Sequence, residues 1–136
     1  RLVLELGEPR THLLEPVPAP RMTKAARWSL EPGVLRYKAF CAEVRRRKIE
    51  LPVPFAVEFY LPLPSEKACR GVPELAEGLP HTRKPDADNL LKGLIDAVHY
   101  KAKGGDSHVH SFVVTKRWSI EGHFIVWPVL EWRMDG

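Results

Sequence analysis

The sequence predicts an α+β fold, a small mixed β-sheet packed by helices in a single domain over residues 1–136. Three observations carry this. The chain has 136 residues, enough for one hydrophobic core but too few for two. Its apolar fraction of 44% and charged fraction of 28% are ordinary for a globular protein, and the apolar residues gather in runs. Those runs alternate between periods of 2 and 3.6, in the order strand, loop, helix, strand, excursion, helix, strand, strand.

Residues 1–6, R-L-V-L-E-L, read as a strand. Residues 7–33 form a long irregular, basic, Pro-rich loop, because Pro9, Pro16, Pro18, Pro20 and Pro32 forbid a continuous helix or a central strand. The loop carries Arg21, Lys24 and Arg27. It reads either as solvated chain or as an arm that contacts phosphates. Residues 34–48 read as a helix, with Leu35, Ala39 and Ala42 as the stripe and Phe40 and Val44 as further members. The helix ends in Arg45-Arg46-Arg47-Lys48, where cations also suit the helix dipole. Residues 53–61 are the clearest strand, with Phe55, Val57 and Phe59 on one face. Residues 64–83 read as an exposed excursion. Residues 88–100 form the best helix, its apolar face made by Leu90, Leu91, Leu94, Ile95 and Val98. Strands over residues 109–118 and 124–132, with Gly122 between them, predict an antiparallel hairpin.

Composition excludes several classes. No run approaches ~18 uncharged apolar residues, so no transmembrane helix is expected. No basic-then-apolar leader is read, and the expected location is the cytoplasm. Cys41 and Cys69 are too few for a disulfide scaffold. The net charge is 21 − 17 = +4 but is unevenly spread. Residues 1–50 carry 11 basic against 6 acidic side chains, and residues 51–100 carry 5 against 7. A basic region beside an acidic one suits a polyanion-binding surface next to a cation site.

The chemistry concentrates at Lys84-Pro85-Asp86-Ala87-Asp88-Asn89-Leu90-Leu91-Lys92. In an extended segment Asp86 and Asp88 project to the same side. Two carboxylates that close repel unless a cation or a proton lies between them, and Mg²⁺ is a hard cation that takes oxygen ligands. Asp is also a favoured N-cap, so either residue has a structural reading, and the two roles are compatible. Asp88, Lys92 and Asp96 fall at i, i+4 and i+8, on the face opposite the leucines. Lys92 either supports charge on a phosphate oxygen or forms an exposed ion pair with Asp88 or Asp96. Asp106 follows Gly104-Gly105 and reads as a third ligand or as a turn residue. His108-x-His110 lacks supporting His or Cys, which argues against zinc. No Gly-rich phosphate loop, nucleophile elbow or HExxH is present.

At these residues the chain resembles the RusA family of Holliday junction resolvases. The family pattern is D-x-D-N opening a helix, a lysine four residues after the second Asp, a D-A-L-like helix end, and a short turn with D-D-S/A-Q before a strand. Asp86-Ala87-Asp88-Asn89, Lys92, Asp96-Ala97-Val98 and Asp106-Ser107-His108-Val109 match in order and spacing. The resemblance implies that Asp86, Asp88 and Asp106 bind a catalytic Mg²⁺, with Mn²⁺ as a substitute, and that Lys92 is the catalytic lysine. It implies a homodimer that nicks branched DNA, the four-way junction, in a bacterial or prophage setting. Arg21, Lys24, Arg27, Arg45, Arg46, Arg47, Lys48 and Lys84 are the candidate DNA contacts. The chain departs from the pattern at Gly105, where the family has its first Asp, and at His108, in place of Gln. The residues 101–105 also depart from the tighter family turn. Three other readings stand beside this one: a branched-DNA-binding protein with a degraded site, a general branched-DNA nuclease, and an unrelated α+β protein with a capped acidic helix.

Overall fold

The computed structural model describes residues 1–20, 31–62, 77–82, 84–99 and 112–135. In chain order the elements are β1 (Leu2–Leu6), β2 (Arg10–His12), α1 (Pro32–Arg46), β3 (Phe55–Pro62), α2 (Ala87–Val98), β4 (Phe112–Ser119) and β5 (His123–Met134). The result is the expected α+β fold, with two helices against one mixed sheet among the described residues.

The sheet runs β1-β5-β3-β4, and β2 also pairs with β5. β3 is central because it is the most apolar strand. Phe55, Val57 and Phe59 share one face and are almost completely buried. β4 lies parallel to β3 and β5 antiparallel to it. The expected β4–β5 hairpin is therefore corrected. The three-residue link at 120–122 crosses the end of β3, which lies between the two strands. Sequence period reports which face a strand buries and carries no information on its neighbours. β2, within the expected loop, is a further addition. Arg10, Thr11 and His12 pair with Val126, Ile125 and Phe124.

α1 buries Val34, Tyr37, Phe40 and Val44, so Phe40 and Val44 of the expected stripe face the core and Val34 and Tyr37 join them. Leu35, Ala39 and Ala42 are exposed. The larger aromatic side chains remove more surface from water than alanines would, and they set the rotation of the helix. α2 presents the expected face, with Leu90, Leu91, Leu94 and Ile95 buried. Phe124 joins the layers, with ring centroids 6.2 Å from Phe59, 6.4 Å from Phe40 and 5.0 Å from His12.

The Pro-rich segment at 16–20 packs on α2 at Gly93. A Cβ there would stand 2.9 Å from the Val17 carbonyl oxygen and 3.0 Å from the Ala19 nitrogen. The Ala19 amide donates to the Asn89 carbonyl at 3.3 Å, and the Tyr37 hydroxyl donates to the Gly93 carbonyl at 2.9 Å. Glycine is what lets this segment and α1 approach one turn of α2 together.

Candidate active site

α2 begins at the acidic motif. Asp86 is its N-cap, with extended backbone (φ −69°, ψ 147°), and its carbonyl accepts the first helical bond from the Leu90 amide at 3.1 Å. The Asp86 side chain makes no capping hydrogen bond. This decides part of the choice left open by the sequence: Asp86 occupies the cap position through its backbone, and its carboxylate stays available. Asp86 and Asp88 are both exposed. Neither has an ion-pair or hydrogen-bond partner among the described residues. Two anions at the positive end of a helix, open to solvent, form a donor set of the kind that hard divalent cations take.

Lys92 lies one turn further on and is 62% exposed; its Nζ is 3.4 Å from Asp96 Oδ2. The exposed ion pair weighed from the sequence is thus present. Such a pair is worth at most about 0.5 kcal/mol, so it restrains Lys92 only weakly. Lys84 is exposed just before the acidic motif, joined to Pro85 by a cis peptide bond.

A residue that the sequence reading passed over also reaches this point. Lys116 lies on β4 beside Phe59 of β3, and its Nζ donates to the Pro85 carbonyl at 2.9 Å. Val114, two residues earlier on the same face, packs against the core. The strand is thereby seated on α2, and a cation is fixed next to Asp86. The outer edge of β4 is covered as well. The Gly78 and His81 amides donate to the Trp118 and Lys116 carbonyls, and the Trp118 amide donates to the Leu79 carbonyl. His81 is buried against Trp118, ring centroids 3.8 Å apart.

The other predicted basic residues fall elsewhere. Arg46 and Arg47 both engage Glu43, at 2.8 and 2.9 Å, and Arg47 also donates to the Leu13 carbonyl at 3.0 Å. Hydrogen bonds from Arg46 and then Arg47 pull the Glu43 carboxyl down to about 2. From Leu13, beside Arg47, the chain runs to Ala19, beside Asn89. Pro20, which leads into the residues 21–30, directly follows the Ala19 that bonds to Asn89 in the first turn of α2. Arg21, Lys24, Arg27, Asp106 and His108 lie outside the described residues, as does most of the 64–83 excursion. Among the described residues, no group of three or more His, Cys, Asp or Glu comes together as a metal site.

These features define a small α+β protein that presents paired carboxylates and lysines at a helix N-terminus. The family model for endodeoxyribonuclease RusA matches residues 15–126. The chain belongs to this family of Holliday junction endonucleases. No curated protein matches it. The matched span includes α1, β3, α2 and β4, and so the whole candidate site. Among the described residues, no helix is long and apolar enough to cross a membrane.

Proposed function

We propose that this chain resolves four-way DNA junctions by paired symmetric nicks, with Asp86, Asp88 and Asp106 as the metal-binding carboxylates. The observation that carries the reading is the pair of exposed carboxylates at the start of α2, with Asp86 unspent on capping and neither in an ion pair among the described residues. The donor set is all oxygen, which fits Mg²⁺, with Mn²⁺ as a substitute. When bound, such an ion supplies Lewis-acid stabilisation of phosphate charge and an activated water. Lys92 supports the charge that builds on the scissile phosphate, its weak pair with Asp96 being exchangeable for a phosphate oxygen. Lys116 holds the Pro85 carbonyl and with it the backbone that aims Asp86.

Arg21, Lys24, Arg27, Lys84 and the Arg45–Lys48 run contact the DNA backbone, with Lys84 directly before the acidic motif. A homodimer gives the two equivalent sites that a nearly two-fold junction needs. The test is cleavage of an end-labelled synthetic four-way junction, with and without Mg²⁺, beside duplex of the same sequence. Paired nicks that require both the metal and the branch are the expected result. Junction binding without cuts, even in Mn²⁺, would instead favour a site degraded at Gly105 and His108, with Gly105→Asp as the variant to restore it.

A further inference from the structure

The chain enters the acidic motif along the edge of β4. Residues 77–82 form a strap antiparallel to that strand, with a bridge between Pro80 and Arg117. The Gly78 and His81 amides donate to the Trp118 and Lys116 carbonyls at 2.8 and 3.0 Å, and the Trp118 amide donates to the Leu79 carbonyl at 2.9 Å. Glu77 pins the start of the strap. Its carboxylate accepts from the Ser119 hydroxyl at 3.2 Å and from the Ile120 amide at 2.6 Å. The Arg117 guanidinium donates to the Gly78 carbonyl at 3.0 Å. Among the described residues the last backbone bond of the strap to β4 is at His81, five residues before Asp86.

Backbone bonds hold a strap to an edge without choosing its register, because nearly every residue offers the same groups. The side chains choose. Of residues 77–82 His81 alone is buried, at 6% exposed, whereas Leu79 is 53% exposed. The imidazole lies against the Trp118 indole, ring centroids 3.8 Å apart. Lys116 and Trp118 pair with Phe59 and Leu61 of β3, both buried, so all four side chains belong to the face that packs in the core. A slip of one residue would turn His81 to the other face and bring Pro80 or Thr82 to the indole. It would also carry Pro85 away from Lys116. That lysine holds the chain at two positions: its carbonyl accepts from the His81 amide, and its Nζ donates to the Pro85 carbonyl at 2.9 Å. The register chosen at His81 is thereby passed to the residue before Asp86.

We propose that His81 is a positioning residue for the carboxylate site: its imidazole sets the register of the strap on β4 and, through Lys116, the placement of Asp86. The inference deepens the metal-binding reading of Asp86 and Asp88 and rests on it for the ion alone. The first test is amide hydrogen exchange by NMR on His81→Ala, without metal or DNA. The Leu90 amide, bonded to the Asp86 carbonyl, reports the start of α2, and the Val57 amide in the central strand reports the whole fold. Exchange at Leu90 should quicken about tenfold more than at Val57, because local opening and global unfolding are separable. A histidine that only stabilises the fold would quicken both alike, and that result would overturn the proposal. The second test is Mn²⁺ titration, followed by the paramagnetic resonance of the free ion. His81→Ala should bind about tenfold more weakly than the wild type, in the range of lost supporting groups at metal sites. His81→Phe, which keeps a flat ring against Trp118, should recover most of that loss. Val44→Ala, a core change in α1, should lower stability and leave Mn²⁺ affinity as it is. Unchanged affinity in His81→Ala, or an equal loss in Val44→Ala, would also overturn the proposal. Should His81→Ala not fold, His81→Gln takes its place with the same expected results. A wild type that takes up no Mn²⁺ fails the metal-site reading and leaves exchange at Leu90 to decide the positioning role.

Discussion

On the proposed reading, Asp88 adds negative charge where DNA phosphates approach, and metal binding is what makes that charge useful. Asp88→Asn should therefore abolish cleavage while keeping or tightening junction binding. Gel-shift and cleavage assays on one labelled junction check both halves, and normal cutting by the variant would remove Asp88 from the site. Lys116 makes a different prediction. Its hydrogen bond to the Pro85 carbonyl acts through backbone, one residue before Asp86. Supporting groups of this kind typically cost about 10–100-fold in metal affinity or activity when removed. Lys116→Met should lower cleavage in that range and raise the Mg²⁺ concentration needed for half-maximal rate. Lys116→Arg, which keeps a donor, should recover part of the loss. Unchanged metal dependence in Lys116→Met would make the lysine merely structural. Asp86, Asp88 and Lys92 were legible as a candidate site because they fall within seven residues of sequence. Lys116 was not, because its contact spans 31 residues and depends on how β4 seats against α2.

Elements were legible where their period was strong. α2 buries Leu90, Leu91, Leu94 and Ile95 together with the small Gly93 and Ala97, and the expected leucine–isoleucine face is the buried one. α1 offers two overlapping stripes, and the choice between them falls to Tyr37 and Phe40 packing against α2 and Phe124. β2 has no apolar run, and its existence follows from the free edge that β5 offers. Two predictions belong at this scale. Gly93→Ala places a methyl within 3.0 Å of backbone from the 16–20 segment. It should destabilise the fold by ~1–3 kcal/mol, the usual cost of overpacking, as read by urea unfolding. His12 links β2 to the core through Phe124, and burial, then Arg10 and Arg47, pull its pKa below 6.5. The unfolded chain therefore binds a proton that the folded chain resists. This contribution to stability is complete above pH 6.5 and is lost as the pH falls towards the lowered folded pKa. In His12→Leu, the decline in melting temperature between about pH 7 and pH 5 should be shallower than in the wild type. Equal slopes would show that His12 titrates alike in both states.

The molecule as a whole carries only +4, a weak overall attraction for DNA, so the placement of cations matters more than their number. Each phosphate contact that releases a counterion adds close to −0.9 to the slope of log K against log salt. Of the predicted basic groups, Arg46 and Arg47 share one carboxylate, Glu43, at the C-terminal end of α1. Replacing both with alanine removes two cations but releases Glu43 as an unpaired anion, and the fold loses the tie of Arg47 to the Leu13 carbonyl. The residues 21–30 carry Arg21, Lys24 and Arg27 without an acidic residue among them, and they follow directly from Pro20 near the start of α2. The triple variant Arg21→Ala/Lys24→Ala/Arg27→Ala should flatten the salt slope of junction binding by about 2–3, near the full value for three lost contacts. It should leave the urea-unfolding midpoint unchanged, whereas Arg46→Ala/Arg47→Ala should lower that midpoint and flatten the slope by less than about 2. Binding titrations at four or five salt concentrations separate the two. A triple variant with the wild-type slope would move DNA recognition away from the Pro-rich loop and onto the helix end.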